Sequence, residues 1–170
     1  IDSTSSSLVL RDYHVDNLIL LKDRKGINQV GVIDFQDAVK GPITYDIVSL
    51  LRDCYVKWPT KNVNELFDYF LKNIPSEFIT DKGLNIKEDI ESNKPQWKKW
   101  FDLMGVQRHV KASGIFARLH YRDQKSGYLK DIPLTLSYIV DICQQYEELT
   151  FLAKLVEDRI LPVSLRHPLH

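Results

Sequence analysis

The chain has 170 residues, 44% of them hydrophobic and 27% charged, a balance that suits one domain with a sizeable core and excludes a wholly disordered chain. Lys plus Arg and Asp plus Glu number 23 each, so no global field draws the chain to nucleic acid or an anionic membrane, and any basic site is local. No leader pattern and no apolar run near ~18 residues is read, which leaves a cytoplasmic setting without membrane insertion as the expectation.

In chain order, residues 1–7 are polar and Ser-rich and read as a loose lead-in. Leu8, Val9 and Leu10 are a short apolar strand candidate. Residues 17–21 and 29–33 read as two further strands, joined as an antiparallel hairpin by a charged loop containing Gly26. Beyond Pro42 the apolar spacing becomes helical. Ile47, Leu50, Leu51 and Cys54 share one face, with Thr44 as N-cap, Asp46 in the first turn and an end before Pro59.

Leu66, Phe67, Phe70, Leu71 and Ile74 repeat that spacing, with Asn62 and Glu65 as a capping pair and Pro75 as the stop. Asn93 and Gln96 open another helix, whose stripe of Trp97, Trp100, Phe101 and Met104 reads as core rather than as a sugar-stacking platform. It is expected to run to about Leu119. Gly105 and Gly114 each weaken it by about 1 kcal/mol relative to Ala and mark close packing or a bend. A turn over residues 123–127 and Pro133 precede a final long helix built on Leu136, Ile139, Val140, Cys143, Tyr146 and Leu149. Cys54 and Cys143 read as buried free thiols, and neither an internal repeat nor a second-domain linker is found.

Two short segments carry chemistry: Arg11-Asp12-Tyr13-His14-Val15-Asp16-Asn17 and Gly31-Val32-Ile33-Asp34-Phe35-Gln36. Each sets carboxylate or amide oxygens beside an apolar strand. A nucleoside triphosphate bound to Mg²⁺ needs oxygen ligands for the metal, and an attacking hydroxyl needs a carboxylate to orient it and take its proton. Asp12, Asn17 and Asp34 supply such atoms. The same residue types also cap turns by satisfying loop N–H groups, so the chemistry alone leaves both readings open.

Protein kinases carry His-Arg-Asp, an Asn five residues after that Asp, and then Asp-Phe-Gly. Leu10-Arg11-Asp12 reaches Asn17 at the same spacing, and Ile33-Asp34-Phe35 follows; Leu10 in place of His, Gln36 in place of Gly and the lack of an Ala-Pro-Glu motif disfavour a protein kinase. The chain instead resembles the aminoglycoside phosphotransferase and choline kinase-like family, which phosphorylates small-molecule hydroxyls on the protein-kinase-like fold. Val32 to Ala38, Gly41-Pro42-Ile43-Thr44-Tyr45-Asp46, Gln107 to Lys111 and Gly114 to Leu119 are most similar to its bacterial branch of anomeric kinases of N-acetylmuramate and N-acetylglucosamine.

The resemblance implies a mainly α chain with a small antiparallel β-hairpin, residues 1–170 being the C-terminal, substrate-binding lobe of a kinase-like phosphotransferase. It implies ATP and Mg²⁺ as cofactors, Asp12 as catalytic base, Asn17 and Asp34 as nucleotide-side Mg²⁺ ligands, and Asp46 as an anchor that hydrogen-bonds the catalytic loop. An amino sugar or cell-wall sugar is the implied substrate. The family's glycine-rich turn and strand Lys are not found, the glycines being scattered at 26, 31, 41, 83, 105, 114 and 127. The expectation is therefore that the N-terminal nucleotide lobe of the same protein is missing from this chain. A noncatalytic kinase-like module that binds a ligand or partner is the alternative.

Around that frame, His14 is a candidate for touching substrate or phosphate, or for bonding the loop. Arg108 is a substrate candidate, and with His109, Lys111, Arg118 and Arg122 makes either a basic wall for a charged sugar substituent or a solvated helix face.

Overall fold

A computed structural model describes residues 6–80 and 83–166; residues 1–5 of the Ser-rich lead-in lie outside them. The described residues form strands β1 (Ser6–Val9), β2 (Leu18–Leu20), β3 (Val30–Val32) and β4 (Val39–Pro42), and helices α1 (Tyr45–Leu51), α2 (Thr60–Asn73), α3 (Ile86–Tyr121), α4 (Ile132–Cys143), α5 (Thr150–Leu155) and α6 (Leu161–Arg166). The protein is mainly α with a small antiparallel β part, as the sequence suggests. Its residues group into two compact units: those up to Asp53 with Trp58–Met104, and Cys54–Lys57 with those from Gly105 on.

In the first unit the expected hairpin forms, with Leu18 opposite Val32 and Leu20 opposite Val30. Gly26 takes φ +60° in its loop, a conformation open to glycine at little cost. The leading strand begins at Ser6 and pairs antiparallel with β4, from Ser6 opposite Pro42 to Val9 opposite Val39. The sequence reading assigns no strand to residues 39–42; a two-stranded edge tolerates Pro, which has no N–H to give to a ladder. A Cβ on Gly41 would stand 3.1 Å from Val9 Cγ2, so glycine lets the two strands close.

The first helix is shorter than its apolar spacing suggests, ending at Leu51, so Cys54 lies past it and is half-buried rather than buried. Thr44 holds the predicted cap position, but its backbone is already helical (φ −80°, ψ −7°) and its buried hydroxyl makes no cap bond. Helix α2 begins at Thr60 behind Pro59, which places Asn62 and Glu65 inside it; Glu65 pairs there with Lys61 at 3.8 Å. Its end before Pro75 is as expected.

Helix α3 starts seven residues before Asn93, the start read from sequence. Asn93 instead marks a break (φ −129°, ψ 30°), with Pro95 removing one N–H and crowding the carbonyl of Glu91. Asp89 bridges the break by accepting from Asn93 Nδ2 and from Trp97 Nε1, both at 2.9 Å. Trp97 and Phe101 are fully buried and pack with Val48, Leu51, Phe67 and Leu71, which is the core role expected of that stripe. Beside this core Arg52 pairs with Asp102, which is 1% exposed, and Lys98 Nζ reaches both Asp102 oxygens at 2.6 and 2.7 Å. The Arg52 guanidinium lies 4.3 Å from the Phe101 ring centre.

In the second unit α4 carries Pro133 in its first turn and ends at Cys143, so the single long helix expected through Leu149 is broken by a turn in which Gln145 N–H donates to Ile142 O (2.9 Å). Helix α5 follows, then a wider π turn, Val156–Ile160, then α6. Val106, Leu136, Ile139, Cys143, Ala153 and Val156 form the core. Burial pushes the Cys143 thiol up, which keeps it protonated and unreactive. His109 is buried and stacks on Tyr138, ring centres 4.6 Å apart at 7°. No helix among the described residues is long and apolar enough to cross a membrane.

Candidate functional site

The segment after β1 is a loop, residues 10–14, ending in a single 3₁₀ turn, Val15–Asn17, before β2. It opens with a three-residue turn: Asp12 N–H donates to Leu10 O at 3.0 Å, with Arg11 at the centre at φ +74°. That is the sign of the rarer, strained form of γ-turn. The Asp46 carboxylate, in the first turn of α1, accepts from Leu10 N–H (2.7 Å) and Arg11 N–H (3.1 Å). Ser49, one turn further along α1, donates to Tyr45 O (3.1 Å) and lies 3.4 Å from Arg11 O. An anion at a helix N-terminus thus holds two backbone N–H groups of the loop.

The far end of the loop is tied by Asn17. Its Nδ2 donates to the Asp12 carbonyl at 2.9 Å, and its own carbonyl accepts from Ile33 N–H at 3.1 Å, one step beyond the β2–β3 ladder. Asn17 therefore links the backbone of Asp12 to the residue preceding Asp34. His14 Nε2 lies 3.5 Å from Asn17 Nδ2, within the loop. Asp34 is exposed at φ +59° and accepts from Gln36 Nε2 at 2.6 Å. Asp12 is also exposed, whereas Asn17 and Asp46 are half-buried.

Two of the three positive-φ residues other than glycine among the described residues, Arg11 and Asp34, sit in these segments. Strain of this kind persists only where the surroundings hold it, and it concentrates at sites that position side chains for a task.

The geometry joins Asp12, His14, Asn17, Asp34 and Asp46 in one loop-and-hairpin cluster of the first unit. Arg108 is carried by the part of α3 in the second unit and is half-buried. The basic wall suggested around it does not form as one face: His109 is buried against Tyr138, and Arg122 lies past the end of α3, bonded to Asp123 at 2.7 and 3.1 Å. Ser49 was not legible as a contributor, since nothing in its spacing distinguishes it from other helical serines.

Oxygen donors suit Mg²⁺, which is held by one or two protein side chains and completed by phosphate and water. With Asn17 Nδ2 bonded to the Asp12 carbonyl and Asp34 Oδ1 to Gln36, Asn17 Oδ1 and Asp34 Oδ2 are the oxygens that could serve an ion. The donor set fits such an ion. No cluster of three or more His, Cys, Asp or Glu suited to a metal occurs among the described residues.

Residues 3–75, the stretch that holds Asp12, Asn17, Asp34 and Asp46, match the phosphotransferase enzyme family. The similarity to that family covers these residues, not the whole chain. The chain is 43% identical over 150 residues to the N-acetylmuramate/N-acetylglucosamine kinase of Neisseria meningitidis, covering 88% of this chain and 41% of that protein. Kinases of the same name from Pseudomonas putida and Caulobacter vibrioides are 39% and 32% identical, over 89% and 92% of this chain and 40% and 38% of theirs. The chain thus spans about two fifths of the length of the curated relatives it matches. The family match covers the loop and hairpin; Arg108 lies beyond the matched residues.

Proposed function

We propose that the complete protein is an ATP-dependent sugar kinase acting on an amino sugar such as N-acetylglucosamine or N-acetylmuramate, and that this chain is the C-terminal lobe of its kinase-like fold. The observation that carries the reading is the bracing of one exposed carboxylate, Asp12, from both ends of its loop, by Asp46 and by Asn17. The names of the relatives and their greater length support the acceptor class and a further nucleotide lobe.

In this mechanism the Asp12 carboxylate accepts a hydrogen bond from the acceptor hydroxyl, fixes its direction of attack and takes its proton as that oxygen bonds the γ-phosphorus of ATP and the bond to the leaving ADP breaks. Asn17 Oδ1 and the Asp34 carboxylate would hold Mg²⁺, which would offset negative charge on the transferring phosphoryl group. Asp46 keeps the loop in its strained shape, so Asp12 needs little rearrangement to reach the transition state. ATP as donor and two cysteines that remain thiols suit a reducing cytoplasm.

The test is ATP consumption by the complete protein against N-acetylglucosamine, N-acetylmuramate, choline and an aminoglycoside, with and without Mg²⁺. Metal-dependent turnover of the N-acetylated sugars is expected, falling about a hundredfold to ten-thousandfold in Asp12→Asn. Wild-type turnover by Asp12→Asn would exclude this mechanism.

A further inference from the structure

The second unit contains a cavity of about 680 Å³ between the C-terminal half of α3, α4 and the α5–α6 segment. Its size falls in the range of small-molecule sites. Apolar side chains such as Leu136, Ile139, Val156 and Ile160 make most of the wall, and among the lining residues Arg159 alone carries a permanent charge. No acidic side chain lines it.

Two backbone features argue that this space is a site rather than a packing fault. Gly114 lies within α3, where glycine costs about 1 kcal/mol relative to alanine. Its φ is not positive, and a Cβ built on it meets nothing within 4 Å, so neither backbone shape nor a close neighbour demands glycine there. What the missing side chain provides is room, because Gly114 lines the cavity. The second feature is the π turn Val156–Ile160, a rare widening of the helix that is frequent at functional sites. It brings Val156, Arg159 and Ile160 into the lining together.

We propose that this cavity binds a small amphiphilic monocarboxylate, its apolar tail against the accessible lining side chains Val110, Ile160 and Val163 and its carboxylate on Arg159. Sugars, with a hydroxyl on nearly every carbon, would leave most of their hydrogen bonds unmade against such a wall, whereas an alkyl chain loses nothing there. A guanidinium at the edge of an apolar space pairs a carboxylate in bidentate fashion and selects it over a neutral head of equal length. The site rests on the second unit alone and does not depend on the phosphotransfer reading.

The experiment is calorimetric titration of the complete protein with octanoate, with 1-octanol and with N-acetylglucosamine. Saturable binding of octanoate at one site is expected, at least about tenfold tighter than 1-octanol. Arg159→Gln is expected to bring octanoate down to the affinity of the alcohol. Gly114→Leu fills the space from the helix side and is expected to weaken octanoate and octanol alike by about tenfold or more, with an unchanged or higher Tm because leucine is the better helix former. Absence of saturable octanoate binding, equal affinity for acid and alcohol, or indifference to both variants would overturn the proposal. So would displacement of octanoate by N-acetylglucosamine, which would make the cavity an acceptor pocket.

Discussion

At Arg11 a side chain bearing a Cβ sits at φ +74°, a conformation that costs of order 1–3 kcal/mol when the surroundings must hold it. Two N–H groups bonded to the Asp46 carboxylate are the evident restraint, each worth roughly 1.5–3 kcal/mol as a bond to a charged group. Asp46→Ala is therefore expected to lower stability by about 1–3 kcal/mol in urea unfolding and to reduce kcat as the loop relaxes. Adding Arg11→Gly should restore part of the lost stability, since glycine takes positive φ freely. An unchanged unfolding midpoint and unchanged kcat in Asp46→Ala would show that the bonds do not hold the loop. The spacing of Asp12, Asn17 and Asp34 is legible in the sequence, because a local loop and hairpin depend on residues close along the chain. The turn at Arg11 is not, because nothing in an arginine signals positive φ; it is imposed by Asp46, 35 residues away.

Helices show where local signals yield to partners. The apolar stripe from Trp97 to Met104 predicts burial correctly, yet the cap read at Asn93 is a break inside a longer helix, because Asp89 spans it with bonds to both Asn93 and Trp97. Equally, the spacing from Leu136 to Leu149 continues a helical pattern across a turn, since periodicity records which face is apolar and not whether the backbone ladder is whole. The buried Arg52–Asp102 pair beside α3 had only the Lys98–Asp102 spacing, four residues, to announce it. Removing one partner strands a buried charge, so Asp102→Ala is expected to cost about 3–5 kcal/mol in chemical denaturation. The apolar double variant Arg52→Met with Asp102→Leu should lie much nearer the wild type, because the desolvation penalty then disappears with the pair. If both variants lose the same stability, shape rather than charge governs this position.

Across the molecule, the apolar surface is distributed unevenly. The helical regions bury most of their stripes, though Leu66, Tyr121 and Phe151 stay exposed; in the β segments of the first unit Leu8, Leu20, Ile27 and Phe35 are exposed close together in the sequence, Ile27 by 84%. These residues flank the segments that hold Asp12 and Asp34. Exposed apolar side chains on short strands and their connecting loops are associated with partner surfaces, and short unpaired strand edges invite pairing with other chains. On the proposed reading the rest of the complete protein, corresponding to the part of the relatives beyond this chain, covers that surface. The 170-residue chain alone is therefore expected to self-associate as its concentration rises, whereas the complete protein stays at one mass over the same range, both followed by light scattering. Ile27→Lys with Leu20→Lys should suppress the association of the isolated chain, because charge on exposed apolar positions opposes their burial against another copy. An isolated chain that remains monomeric throughout would mean that these side chains are tolerated in water. The apolar residues that flank the Asp12 and Asp34 segments would then need no cover from the rest of the complete protein.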